Sequence, residues 1–177
     1  MKIKLQNVRL SFPQLFTAKG FNGSDPKFSA AFILDKKANA ENIKTIEEAC
    51  TKLAKEKFGG KVPKKCIMCL HDGEEKEDVD GYGEDVMFIT SSNKKRPQVI
   101  DRDRSPIVEE DDIVFAGCYV NALVTLWVQD NDFGKRVNAQ LSAIQFVKAG
   151  EAFGEAPTKV EDEFDDISED SEEGSIL

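Results

Sequence analysis

The chain has 177 residues, enough for one domain with a full core plus a tail, and 40% of them are hydrophobic. No run approaches a membrane-spanning length and the N-terminus lacks the apolar core of a signal peptide, so Cys50, Cys66, Cys69 and Cys118 read as reduced thiols of a cytosolic protein. The net charge of −9 is unevenly spread: residues 151–177 hold eleven of the 33 acidic groups and one basic residue, Lys159, and carry −10.

Residues 1–65 come to +8 and residues 66–150 to −7. A basic N-terminal half with an acidic tail is the asymmetry expected of a nucleic-acid binder with an interaction tail. Acidic-tailed chaperones share the second feature.

Residues 2–12 alternate as a strand in which Ile3 and Leu5 share one parity and Val8, Leu10 and Phe12 the other. The slip at Gln6-Asn7 predicts a bulge, which helps close a small barrel. Pro13 and the segment 17–27 read as a loop, and residues 28–34 as a second strand with Phe28, Ala30, Phe32 and Leu34 on one face. A helix follows over residues 40–58. Asn39 is its expected N-cap, Ile43, Ile46, Cys50 and Leu53 form the apolar stripe, and Gly59-Gly60 ends it. Its lysines fit a solvated face better than a phosphate contact.

Cys66, Cys69 and His71 have the spacing of three zinc ligands, but no further Cys/His pair lies downstream, and the alternation also fits a short strand. Residues 73–83 read as an exposed acidic loop and residues 86–91 as a strand. Next comes the densest basic group of the second half, Lys94, Lys95, Arg96, Arg102 and Arg104, which suits phosphates through counterion release or, more plainly, a solubilising loop. The run Glu109-Glu110-Asp111-Asp112 is contiguous, whereas a metal-dependent nuclease needs carboxylates converging from different strands. It reads as a solvated turn.

The most informative stretch is 117–148. Two alternating runs flank Asp130-Asn131-Asp132-Phe133-Gly134, a pattern for a three-to-five-residue hairpin loop with Gly134 at positive φ. Val120, Ala122, Val124, Leu126 and Val128, continued by Val137, Ala139, Leu141 and Ala143, form the inner face. The outer face carries Tyr119, Asn121, Leu123, Thr125, Trp127 and Gln129, then Arg136, Asn138, Gln140 and Ser142, without a carboxylate. Flat aromatics among amides and a guanidinium suit stacked bases beside phosphates. The same face also fits packing under a second layer, or a homodimer contact.

Beyond residue 150 apolar content falls, and residues 151–177 are expected to form a disordered interaction tail to a domain at 1–150. Phe164 and Ile167, set beside Asp165 and Asp166, have the composition of a docking peptide that charge steers and apolar groups anchor.

Several stretches together resemble a known family: Asn7-Val-Arg-Leu-Ser-Phe-Pro13, Lys27-Phe-Ser-Ala30, Gly81-Tyr82, Arg96-Pro97 with Asp101-Arg102, Gly117-Cys-Tyr-Val-Asn-Ala122, residues 127–139, and residues 145–154. They are similar to the single-stranded DNA-binding proteins of tailed bacteriophages and prophages, over essentially the whole chain. The resemblance implies a mainly β, OB-fold-like five-stranded barrel with one α-helix and an acidic C-terminal tail. It also implies sequence-independent single-stranded DNA binding in phage replication, recombination or repair, within the bacterial host cytoplasm.

Cellular proteins of this function end their acidic tail in an aromatic residue. Here the chain closes on Ile176-Leu177, and Phe164 is the candidate in its place. The resulting expectation is a non-enzymatic protein without a cofactor or metal. Bases would stack on Tyr119 and Trp127, with Tyr82, Phe88 and Phe133 as further candidates. Phosphates would sit on Lys135 and Arg136, with Lys94, Lys95, Arg96, Arg102 and Arg104. Replication or recombination proteins would dock on the tail. The competing readings are a nuclease built on residues 109–112 or on Cys66, Cys69 and His71, and a protein-interaction module that binds no DNA.

Overall fold

A computed structural model describes residues 1–20, 23–154 and 167. In chain order the elements are β1 (Lys2–Lys19), β2 (Lys27–Asp35), α1 (Ala40–Lys57), β3 (Leu70–Asp72), β4 (Val86–Asn93), β5 (Gln98–Ile100), β6 (Tyr119–Asn131) and β7 (Gly134–Lys148). Short 3-10 turns occupy Gly73–Lys76 and Glu109–Asp111.

Among the described residues the strands form one sheet in the order β3-β4-β2-β1-β6-β7-β5, and a further pairing of β4 with β7 closes it. The closed ring is β1-β2-β4-β7-β6, with β4 and β7 parallel where Ser92 meets Gln140. Numbered within the ring, the strands run 1-2-3-5-4, so the expected OB-like barrel is present. β3 and β5 extend its edges.

Alternation builds the interior. Ile3, Leu5, Val8 and Leu10 of β1 meet Phe32 and Leu34 of β2, Ile89 of β4, and Val120, Val124 and Leu126 of β6. The stripe of α1 (Ile43, Ile46, Ala49, Cys50 and Ala54) is buried against this core, and the helix packs on β6, β2, β1 and β7. The glycine pair after it takes positive φ, 77° at Gly59 and 100° at Gly60, and the Gly60 amide returns to the Lys55 carbonyl at 2.7 Å. Asn39 does not cap the helix with its side chain as expected. Its Oδ1 instead accepts the Asp35 amide at 2.9 Å and its Nδ2 donates to the Asn7 carbonyl, tying the helix start to β1.

Three of the register shifts between paired strands decide which residues face the core. The bulge expected at Gln6-Asn7 is present: the β1–β6 register shifts between Leu5 and Val8, and Asn7 has φ 53°. A second bulge at Phe12, φ 46°, carries β1 past Pro13 to Lys19, where a loop was expected. Proline fits there because a bulge position needs no ladder N–H. The same bulge turns Phe12 outward instead of into the core. A third shift in the β6–β7 register leaves Ser142 as the extra residue, so the inner face of β7 continues through Ile144 and Phe146 rather than Ala143. The hairpin tip is also tighter than expected. Asn131 pairs with Gly134, leaving Asp132 and Phe133 between them, and Gly134 takes φ 118°.

Ile46 has no solvent exposure and joins the helix to the barrel. Ile46→Ala should lower stability by about 2–5 kcal/mol, seen as a reduced urea midpoint with an unchanged slope.

Candidate nucleic-acid interface

In a barrel of this connectivity, the outer face of ring strands 2 and 3, with the loops between strands 1–2 and 4–5, is where oligonucleotides bind in OB-folds. Those strands are β2 and β4, and the second loop is the β6–β7 hairpin tip. A groove of about 910 Å³ lies at that place. Its floor is polar: Ser29 of β2 pairs with Ser92 of β4, and Thr90 stands beside them. Period 2 sends alternate residues inward, and Ser91 accordingly is buried, donating from Oγ to the Ala30 carbonyl at 2.9 Å.

One wall is the hairpin. Trp127 is 47% exposed and Phe133, at the tip, is 87% exposed, and both line the groove with Arg136. Trp127 pairs across the ladder with Asn138, and Gln129 with Arg136. The amides hold one another: Asn138 Nδ2 donates to Gln129 Oε1 at 2.8 Å, and Gln129 Nε2 donates to Asn131 Oδ1 at 3.1 Å. Ile67, Met68 and His71, ahead of and within β3, also line the groove, and Ile67 is tied to the hairpin: its amide donates to the Lys135 carbonyl at 3.0 Å and its carbonyl accepts the Val137 amide at 2.9 Å. Lys27, Lys94 and Arg136 supply three cations, and no carboxylate lines the groove. Lys94 is bridged at 3.3 Å to Asp25 in the β1–β2 connection, so one rim cation is partly neutralised.

The residues singled out in the sequence divide into separate groups. Trp127, Phe133, Arg136 and Lys94 converge on the groove, with Lys95 exposed beside them. Arg96 leaves the rim and lies over the Phe16 ring, 5.5 Å from its centre. Lys135 points the other way, 5.0 Å from the Phe58 ring at the end of α1. Tyr119 is eight residues from Trp127 along β6, roughly 26 Å at strand rise. There it sits between Lys148 and Arg9, whose charged groups are 4.8 and 5.7 Å from its ring centre. Arg102 is beside Phe146, and Arg104 is exposed in the same turn. The expected joint stacking of Tyr119 and Trp127 on one ligand segment therefore gives way to two distant positions. Phe88 is 2% exposed and stacks on His71 at 5.1 Å, so burial removes it as an open platform. Tyr82 is half-buried, with its hydroxyl donating to Ser11 Oγ at 3.0 Å, and burial pushes its pKa up.

The pattern-based reading missed Lys27, Ser29, Thr90, Ser92 and His71 as groove residues. Their polar positions were visible, but only strand order shows that β2 and β4 are neighbours facing the hairpin.

The competing sites do not assemble. Cys69 is buried with its Sγ 3.8 Å from that of Cys50, and its pKa is pushed up by that contact and by burial. His71 Nδ1 lies 3.2 Å from Glu75. No group of three or more His, Cys, Asp or Glu among the described residues is placed to hold a metal ion. Glu109–Asp112 is an exposed turn, closed by the Asp111 carboxylate accepting the Val108 amide at 2.9 Å.

Residues 151–154 are held to the barrel. The Arg9 guanidinium lies 4.1 Å from the Phe153 ring centre and donates to the Gly117 and Glu151 carbonyls, while the Gly154 amide donates to Asp80 at 2.8 Å. Gly117 and Gly150 permit this approach, since a Cβ on either would lie under 2.5 Å from backbone oxygen. Of the residues expected to form a docking peptide, Phe164, Asp165 and Asp166 lie outside the described residues, and Ile167 is exposed.

A family model described as "Enterobacter phage Enc34, ssDNA-binding protein" matches residues 1–176. The chain belongs to this family. It is 39% identical over 183 residues to "Putative protein p50" of Acyrthosiphon pisum secondary endosymbiont phage 1, covering 98% of this chain and 97% of that protein. Among solved structures it is similar to the single-stranded DNA-binding protein of bacteriophage Enc34 in complex with ssDNA, with TM-score 0.76 and 28% identity over 86% of this chain and 89% of that one. The fold alone is shared with gp2.5, a single-stranded DNA-binding protein encoded by bacteriophage T7, with TM-score 0.56 and 16% identity over 90% of this chain and 97% of that one. The family is named for binding DNA, not for a reaction. No described helix is long and apolar enough to cross a membrane.

Asn93 joins the two sides of the groove floor: its Nδ2 donates to the Leu141 carbonyl at 2.8 Å and its Oδ1 accepts the Lys95 amide at 2.9 Å. Asn93→Ala should cost about 1–3 kcal/mol and accelerate amide exchange over residues 92–95, read by hydrogen–deuterium exchange.

Proposed function

We propose that this chain binds single-stranded DNA without sequence preference, laying it in the groove between the β2–β4 face and the β6–β7 hairpin. The observation that carries the reading is a groove of about 910 Å³ with three cations, a half-exposed Trp127 and no carboxylate, in a chain of net charge −9. A duplex presents its bases edge-on inside the grooves, whereas a single strand offers faces that an exposed indole can stack on. Stacking tolerates any base, and the serine and threonine floor suits backbone contacts rather than a fixed donor–acceptor code. Arg136, Lys27 and Lys94 then take phosphates, with Lys95 as an outer contact.

The tail fits the same reading. Its −10 charge competes with DNA for the basic groove at low salt, and DNA frees it for partner proteins of replication, recombination or repair. The outer hairpin face near Tyr119, with Arg102 and Arg104, is a second surface for DNA or for a second copy of the chain.

Trp127→Ala should weaken oligo(dT) binding by roughly 5- to 150-fold, as loss of one stacked base of about 1–3 kcal/mol implies. Tryptophan emission of the unmodified protein should fall on titration; no quenching would favour a protein-interaction module. Arg136→Ala should flatten the dependence of log affinity on log salt by about 0.7. Removal of residues 155–177 should tighten binding at low salt, and unchanged or weaker affinity would refute tail competition.

A further inference from the structure

The outer face of β1 carries an aromatic group that the groove leaves unused. Phe12 has φ 46°, a left-handed conformation that bulky residues rarely adopt, and its side chain is 54% exposed. A phenylalanine held in strained backbone and presented to solvent contributes little to the core. Such strain persists where the surroundings impose it, and it concentrates at sites of function.

Its neighbours are arranged as a platform. The Phe12 ring centre lies 6.3 Å from that of Tyr82 with the planes 35° apart, and Tyr82 meets Phe88 edge-on at 5.1 Å. The hydrogen bond from Tyr82 to Ser11 fixes the phenol. The Lys76 ammonium lies between 5.0 and 5.6 Å from the centres of all three rings. It enters none of the ion pairs formed among the described residues. Phe88 in turn stacks on His71, a groove-lining residue. The aromatic row thus runs continuously from the groove across β4 toward β1.

We propose that Phe12 and Tyr82, with Lys76 beside them, form a second stacking platform that takes a base and its phosphate as a single strand leaves the groove over β1. This rests on the groove reading above, which ends at β2 and does not require it.

The test is binding of oligo(dT) of about 20 nucleotides, longer than the roughly 4–16 of one OB site. Phe12→Gly suits the strained φ, so the variant should keep a cooperative thermal transition while binding about 5- to 100-fold more weakly. Phe12→Trp restores a flat face and should restore affinity, which a role in packing alone does not predict. Lys76→Gln should flatten the salt slope by about 0.7. Wild-type affinity for both Phe12→Gly and Lys76→Gln, with Trp127→Ala weakened, overturns the second platform and leaves the groove intact. Absence of binding by the unmodified protein overturns the groove reading and the platform with it.

Discussion

Closure of the barrel between β4 and β7 is the constraint from which the rest follows. Every other ring neighbour is antiparallel and extensively paired, but here two parallel strands meet at Ser92 and Gln140, and the Asn93 side chain bridges to the Leu141 carbonyl. Without that seam the sheet would be open, running from β3 at one edge to β5 at the other, and β2 and β4 would not face the hairpin. With it, the polar outer residues of β2 and β4 become a floor, and the projecting end of β6–β7 becomes a wall. The groove is a consequence of the closed ring rather than of any local motif.

Closure also explains the bulges. A small barrel needs strands that bend sharply, and each bulge bends a strand by inserting an unpaired residue. In β1 this happens at Asn7 and again at Phe12, both at positive φ. The first lets the strand turn while Leu5 and Val8 both remain inside. The second reverses the side of Phe12, converting an expected core residue into an exposed one.

Much of the fold was legible because period and composition act locally. The alternation of Val120 to Leu126, the helix ending at Gly59-Gly60 and the slip at Gln6-Asn7 each carry their own signal. The wall of the groove was legible for the same reason, since Trp127 and Arg136 lie on the polar parity of one hairpin. The floor was not, because Ser29 and Thr90 gain meaning only from the pairing of β2 with β4, a long-range fact. Tyr119 was read with Trp127 because parity reports the face of a strand but not the position along it. Phe88 is a stacking candidate by residue type alone, and its burial under His71 and the 73–83 segment is a tertiary fact. Lys135 and Arg136 are adjacent in sequence yet serve opposite sides of the sheet, which period 2 requires.

The central claim is that a single strand occupies the face made by β2, β4 and the hairpin. Hydrogen–deuterium exchange with and without oligo(dT) tests it most directly, since bound DNA slows exchange where it covers backbone. Protection concentrated in residues 27–31, 88–94 and 127–138 is the predicted result. Protection confined to the helix at residues 40–57, with the groove segments unchanged, would contradict the account.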